Sequence, residues 1–181
     1  RGVSCVIASG LASAAQRQWQ WPVEMLYRNY RNPHLGNDLP IQRLPAKVAD
    51  LVSVIAAIAP TDIVVALGSS FVPEINRDLG QALQQHLDGP LMVMDAVSRL
   101  PFPLPGKILM IGSASEYGQF TDQPVGEDHP TDPRDHYGHI KLTLHELGLY
   151  YHRMHGLPIL HIRQFNVTGP DQDPRFVLPS I

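Results

Sequence analysis

Three residue types in this chain can together move a proton between a hydroxyl and a carbonyl. Tyr137 and Lys141 stand four positions apart in DHYGHIK (135–141), so on a helix both lie on one face. An ammonium beside a phenol favours tyrosinate. It is expected to lower Tyr137 from the ordinary phenol value of about 10, making it an acid or base usable near neutrality. Ser113, in GSASEYG (112–118), closes an apolar run that reads as a strand, and strand ends deliver side chains to the crevice where open α/β sheets bind ligands. A hydroxyl there can hold a substrate oxygen in line with the phenol. Alone, Tyr-x-x-x-Lys is a common helical spacing, so the chemistry depends on the elements that carry it.

Those elements alternate along the whole chain. Apolar runs rich in Val, Ile and Leu predict strands over 4–9, 23–28, 40–44, 62–68, 107–113 and 158–165. Between them, AKVADLVSVIAAIA (46–59) and HYGHIKLTLHELGLYYHRMHG (136–156) read as helices. In the latter, Ile140, Leu144, Leu147 and Tyr151 trace one face and Gly156 stands as the stop. Residues 72–100 read as one long helix with a kink or break near its middle, because it carries Gly80, Gly89 and Pro90. PFPLPG (101–106) and the Pro- and Asp-rich run 121–135 read as loops. The rhythm predicts an α/β fold, a doubly wound Rossmann-like parallel sheet forming a single domain over residues 1–181.

Composition narrows the function classes. A formal net charge of −3 with scattered Lys and Arg leaves no basic stripe for nucleic acid. One cysteine, Cys5, excludes an internal disulfide framework and a cysteine-rich zinc site. The opening RGVSCVIASGLASAAQ imitates a signal peptide, but Ser9 and Gly10 interrupt its short apolar run; no run is long enough for a membrane span, and the cytoplasm is the expected compartment. The nine histidines, His145 and His152 among them, read as helix-surface residues rather than metal ligands, since HELGLYYH is not HExxH.

The residues that carry the chemistry resemble the extended short-chain dehydrogenase/reductase family, the NAD-dependent nucleotide-sugar epimerases and dehydratases. Ser113 precedes Tyr117-Gly118 by four residues, Tyr137 and Lys141 follow after a loop, and the next strand leads into RQFNVTGP (163–170), similar to the family's Arg-x-Phe-Asn-x-x-Gly-Pro. ALGSSFV (66–72) is similar to its fourth strand and following loop. The resemblance implies Tyr137 as general acid/base, Lys141 as the pKa-lowering and ribose-contacting residue, and Ser113 as the substrate-orienting hydroxyl. It places Asn166 and Ser115 near a small-molecule substrate, a nucleotide sugar, and makes a homodimer the expected assembly. The family's 4,6-dehydratases carry Glu at the position of Ser115, whereas here Glu116 comes one place later, where strand alternation points it elsewhere. Epimerisation or carbonyl reduction is therefore expected over dehydration.

The same resemblance implies NAD or NADP, with Gly10 and Ser13 in the phosphate turn and Arg28, ending the second strand, available to a 2′-phosphate. The family's Gly-x-x-Gly-x-x-Gly is reduced to ASGLASAAQ, where Gly10 remains and Ser13 and Gln16 replace the later glycines. In the family's Asn-x-x-Gly-Thr, His86 and Pro90 take the outer positions. A second reading thus stays open: an enzyme of this type without dinucleotide, using Ser113, Tyr137 and Lys141 for redox-neutral hydrolysis, elimination or cyclisation. The family's C-terminal substrate domain is largely missing from these residues; 171–181 reads as its possible start, and the chain as a possible fragment of a longer protein.

Overall fold

A computed structural model describes residues 5–7, 23–27, 41–43, 45, 47–68, 72–103, 106–119 and 124–167. Six strands form one parallel sheet: β1 (Cys5–Ile7), β2 (Val23–Tyr27), β3 (Ile41–Arg43), β4 (Asp62–Val65), β5 (Ile108–Ile111) and β6 (Ile159–Ile162). Their spatial order is β3-β2-β1-β4-β5-β6. The order reverses between β1 and β4, the point at which open parallel sheets leave a crevice beyond their C-terminal ends. All six predicted strands are present.

Helices α1 (Val48–Ile58), α3 (Leu79–Ser98) and α4 (His136–His155) cover one face of the sheet. Strand alternation sends Ile63 and Val65 of β4, and their register partners Ile108 and Met110 of β5, into that layer. There they meet Leu51 and Ile55 of α1, Met94 and Val97 of α3, and Leu144 of α4. The connections from β1 to β2 and from β2 to β3, where a doubly wound sheet carries its other layer, lie outside the described residues. Among the described residues no helix is long and apolar enough to cross a membrane.

The break in the long helical stretch falls ahead of its expected place. A short helix α2 (Val72–Ile75) ends in a turn, and α3 then runs through Gly89 and Pro90 without interruption. Asp78 decides the restart: in extended conformation, its carboxylate accepts the Gln81 N–H at 3.0 Å and caps α3. Pro90 is held in the helix by packing, since its neighbours Val93 and Met94 are core residues. Helix α4 matches its predicted span. Asp135 caps it by accepting the Gly138 N–H at 2.7 Å, and Gly156 ends it in the left-handed conformation at φ 65°.

Candidate active site

The site is assembled where β5 ends. Beyond Ile111 the chain leaves the strand and turns through a 3₁₀ helix, Ala114–Glu116, whose N-cap is Ser113. The Ser113 hydroxyl accepts the Ser115 N–H at 3.1 Å, and the Glu116 carboxylate accepts the Ser113 N–H at 2.8 Å, a reciprocal capping box. The first turn of α4 rests on this turn because residue 138 is Gly: a Cβ there would press on the Ser115 carbonyl. That close approach sets the Tyr137 phenol beside Ser113, whose hydroxyl acts on its titration. Ser113, Tyr137 and Lys141 are thus brought together as the spacing predicts.

Lys141 is 5% exposed, its Nζ donating to the Ile111 carbonyl at 2.8 Å and lying 5.6 Å from the Tyr137 ring centroid. Burial lowers it to about 8, opposed by the negative charge of Glu116. The phenol departs from the expectation of a lowered value. Burial raises Tyr137; the Ser113 hydrogen bond pulls it down, and the charges of Glu116 and Asp135 raise it further. The Lys141 ammonium donates to the strand carbonyl, and burial of the ring sets the direction of the shift.

His86 of α3 also enters this site, with its ring 5.9 Å from that of Tyr137 in an edge-on arrangement. It is 1% exposed, and neither ring nitrogen has a hydrogen-bond partner. Burial, aided by the charge on Lys141, holds it down at about 4, so it is neutral at physiological pH.

Beneath Ser113 lies a charged cluster that sequence reasoning missed. Residue 116 sits in a 3₁₀ turn, where strand alternation no longer governs direction, and its carboxylate is fully buried. It accepts from His161 Nε2 at 2.9 Å and from Arg163 Nε at 2.9 Å, both delivered by β6 and its continuation. Gly112 makes the seat possible, since a Cβ there would collide with both the carboxylate and His161. Burial alone would raise Glu116, but the bonds from His161, Ser113 N–H and Arg163 reverse this and hold it below the ordinary carboxylate range. Arg163 further donates to His145 Nδ1 at 3.1 Å and to the Tyr117 hydroxyl at 3.3 Å.

His145 and His161 are therefore not surface histidines; their rings stack at 4.7 Å. With Glu116 they offer three ligand atoms within 4.8 Å of one another, a spacing compatible with a metal ion. The Arg163 guanidinium already serves as the cation of this group, bonded to both Glu116 and His145. The signal in the sequence was Glu116 in the turn after β5 with His161 in β6 and Arg163 just beyond it, visible only once β5 and β6 are aligned.

Of the remaining expected site residues, Ser115 is half-buried in the 3₁₀ turn and directs its N–H to Ser113. Asn166 is exposed beyond β6. Gly10, Ser13 and Arg28 lie outside the described residues.

A six-stranded Rossmann-like parallel sheet places the chain in a class of α/β proteins. Within it, the chain belongs to the NAD dependent epimerase/dehydratase family, whose model matches residues 2–181. It is 33% identical over 123 residues to the GDP-6-deoxy-D-mannose reductase of Pseudomonas aeruginosa, a match covering 67% of this chain and 40% of that protein. The fold is similar to that of DesIV, a dTDP-glucose 4,6-dehydratase of Streptomyces venezuelae solved with NAD bound (TM-score 0.83, 18% identity, 98% of this chain and 60% of that one). It is also similar to RMD of Pseudomonas aeruginosa solved with NADPH (TM-score 0.70, 24% identity, 97% and 58%). The chain spans about half the length of the relatives it matches.

Proposed function

We propose that this chain is the dinucleotide-binding part of an NAD- or NADP-dependent epimerase or reductase that interconverts a hydroxyl and a carbonyl on a nucleotide-linked sugar. The observation that carries the reading is the buried Lys141 ammonium 5.6 Å from the Tyr137 ring, with the Ser113 hydroxyl acting on the same phenol. The residues fit a dinucleotide: phenol, ammonium and hydroxyl stand at the C-terminal edge of the sheet, next to the point where strand order reverses. Gly10 and Ser13 would meet its phosphates, Arg28 a 2′-phosphate, and Lys141 a ribose hydroxyl.

When bound, the dinucleotide supplies or accepts a hydride. The chain's own residues handle the proton. Ser113 holds the substrate oxygen. Tyr137, kept protonated at neutral pH by burial, donates to a carbonyl oxygen as it becomes a hydroxyl, or takes the proton back in the reverse direction. Lys141 keeps its charge below about pH 8 and, anchored on Ile111, stabilises the phenolate left behind. A protonated resting phenol suits reduction, in keeping with the similarity to a reductase. Ser115 in place of a carboxylate leaves dehydration without its acid. Asn166 would contact the sugar from the segment after β6. A homodimer is supported by the exposed Leu149, Tyr150 and Met154 along α4. The redox-neutral alternative rests on the sequence departures at Ser13, Gln16, His86 and Pro90, and dinucleotide binding separates the two readings.

Titration calorimetry of the full-length protein with NADH and NADPH tests this reading. Saturable binding of one of them is expected, and absence of binding by both overturns it.

A further inference from the structure

Glu116 is the one fully buried carboxylate among the described residues, and the proposed chemistry gives it no task. It is nevertheless the residue through which the two sides of the site are joined. One oxygen receives the Ser113 N–H; the other receives Arg163 Nε, and His161 Nε2 lies within 3.1 Å of both. Because a carboxylate is acceptor-only, every one of these contacts is satisfied by a donor, and none can be reversed by rotating the group.

We propose that Glu116 is a positioning residue for the proton-transfer set: clamped by Arg163 and His161 of the neighbouring strand, its carboxylate fixes the turn that aims the Ser113 hydroxyl at the Tyr137 phenol. The inference rests on the reading of Ser113 and Tyr137 as that set. Three features support it. The capping box makes Glu116 and Ser113 the two ends of a single turn, so the carboxylate sets the Ser113 backbone directly. The adjoining backbone is pinned to the same strand, since Gly112 N–H donates to the Ile162 carbonyl and Ala114 N–H to that of Gln164. A buried carboxylate is costly unless its partners are all in place, so the cluster holds one arrangement rather than several.

Positioning and plain electrostatics predict opposite signs. The Ser113 hydrogen bond lowers the phenol more than the Glu116 charge raises it. If Glu116 acts through Ser113, removing it releases the hydroxyl and the phenol titrates at higher pH; if it acts only as a charge, the phenol titrates lower. The other groups facing the phenol are Lys141 and Asp135 of α4 and His86 of α3, while His161, Arg163, His145 and Tyr117 surround Glu116; none is altered by the substitutions.

The test is the titration of Tyr137 by ultraviolet tyrosinate absorbance, taken as the difference from Tyr137→Phe because the chain holds six tyrosines. Glu116→Met, Ser113→Ala and the double variant are compared. The phenol is expected to rise by about half a unit or more in each, with the double variant no higher than Ser113→Ala alone. Turnover of Glu116→Met is expected to fall about tenfold or more with dinucleotide affinity unchanged. A phenol that titrates lower in Glu116→Met, or strictly additive effects, overturns the proposal. Should Glu116→Met not fold, Glu116→Gln decides: with its amide oxygen on the Ser113 N–H, its NH2 meets the Arg163 Nε–H donor to donor, the clamp is lost, and a raised phenol with reduced turnover is expected. A lowered phenol with turnover retained in Glu116→Gln overturns it. The absorbance titration needs neither dinucleotide nor substrate, so failure of the proposed function, read by calorimetry, is separable from failure here.

Discussion

The middle of the sheet and its C-terminal edge are built from the same elements by opposite rules. Helix α3 gives Met94 and Val97 to the middle and His86 to the edge; α4 gives Leu144 to the one and Lys141 to the other. In the middle every buried side chain among the described residues is apolar. At the edge, Glu116, Lys141 and His86 are buried like the residues of the core. The middle supplies stability through burial and close packing. The edge gives some of it up, because desolvated ionisable groups cost stability, and in return their titration is tuned.

The comparison can be broken from either side. Met94→Ala, at a wholly buried position of the middle, should cost about 2–5 kcal/mol in chemical denaturation, leaving the pH profile of any activity in place. His86 should make the edge acid-sensitive. Its native value is about 4 against 6.5 unfolded, so as pH falls from 6.5 the unfolded chain binds a proton that the native one refuses. Stability from this group is present above pH 6.5 and is lost towards pH 4, by about 3 kcal/mol. His86→Leu should remove that part of the acid dependence, read as the difference between the two denaturation series.

Lys141 works in the same direction at higher pH. With a native value of about 8 against 10.5, stability falls as pH drops from 10.5 to 8, and the full cost is present at neutrality. Lys141→Met should therefore raise unfolding stability at pH 7 by about 1–3 kcal/mol while abolishing turnover. The smallest effect concerns neither region: Asp78→Ala, at the N-cap of α3, should cost about 1 kcal/mol without altering activity.

The sheet was legible because its strands are short runs of Val, Ile and Leu, and α4 because Asp135 and Gly156 mark its ends. The shared helix face of Tyr137 and Lys141 was legible from their spacing of four, and the approach of Ser113 from its place at a strand end. Glu116 was not, since alternation was applied to a residue that had already left the strand. His161 and Arg163 find it only through the β5–β6 register, a non-local fact. The helix break was expected near the middle of 72–100 from Gly80, Gly89 and Pro90, whereas core packing carries α3 through Gly89 and Pro90 and Asp78 sets the restart. The phenol was expected to fall because Lys141 was counted as a free ammonium; its bond to Ile111 and the burial of the ring are tertiary features.

The central claim is that Tyr137 moves the proton while a dinucleotide moves the hydride. Its most direct test follows NADH and NADPH oxidation by the full-length protein with 4-keto nucleotide sugars, comparing the native chain with Tyr137→Phe. Turnover lowered about 10²–10⁴-fold, with dinucleotide affinity unchanged, is the predicted result. Turnover by Tyr137→Phe equal to that of the native chain would contradict it.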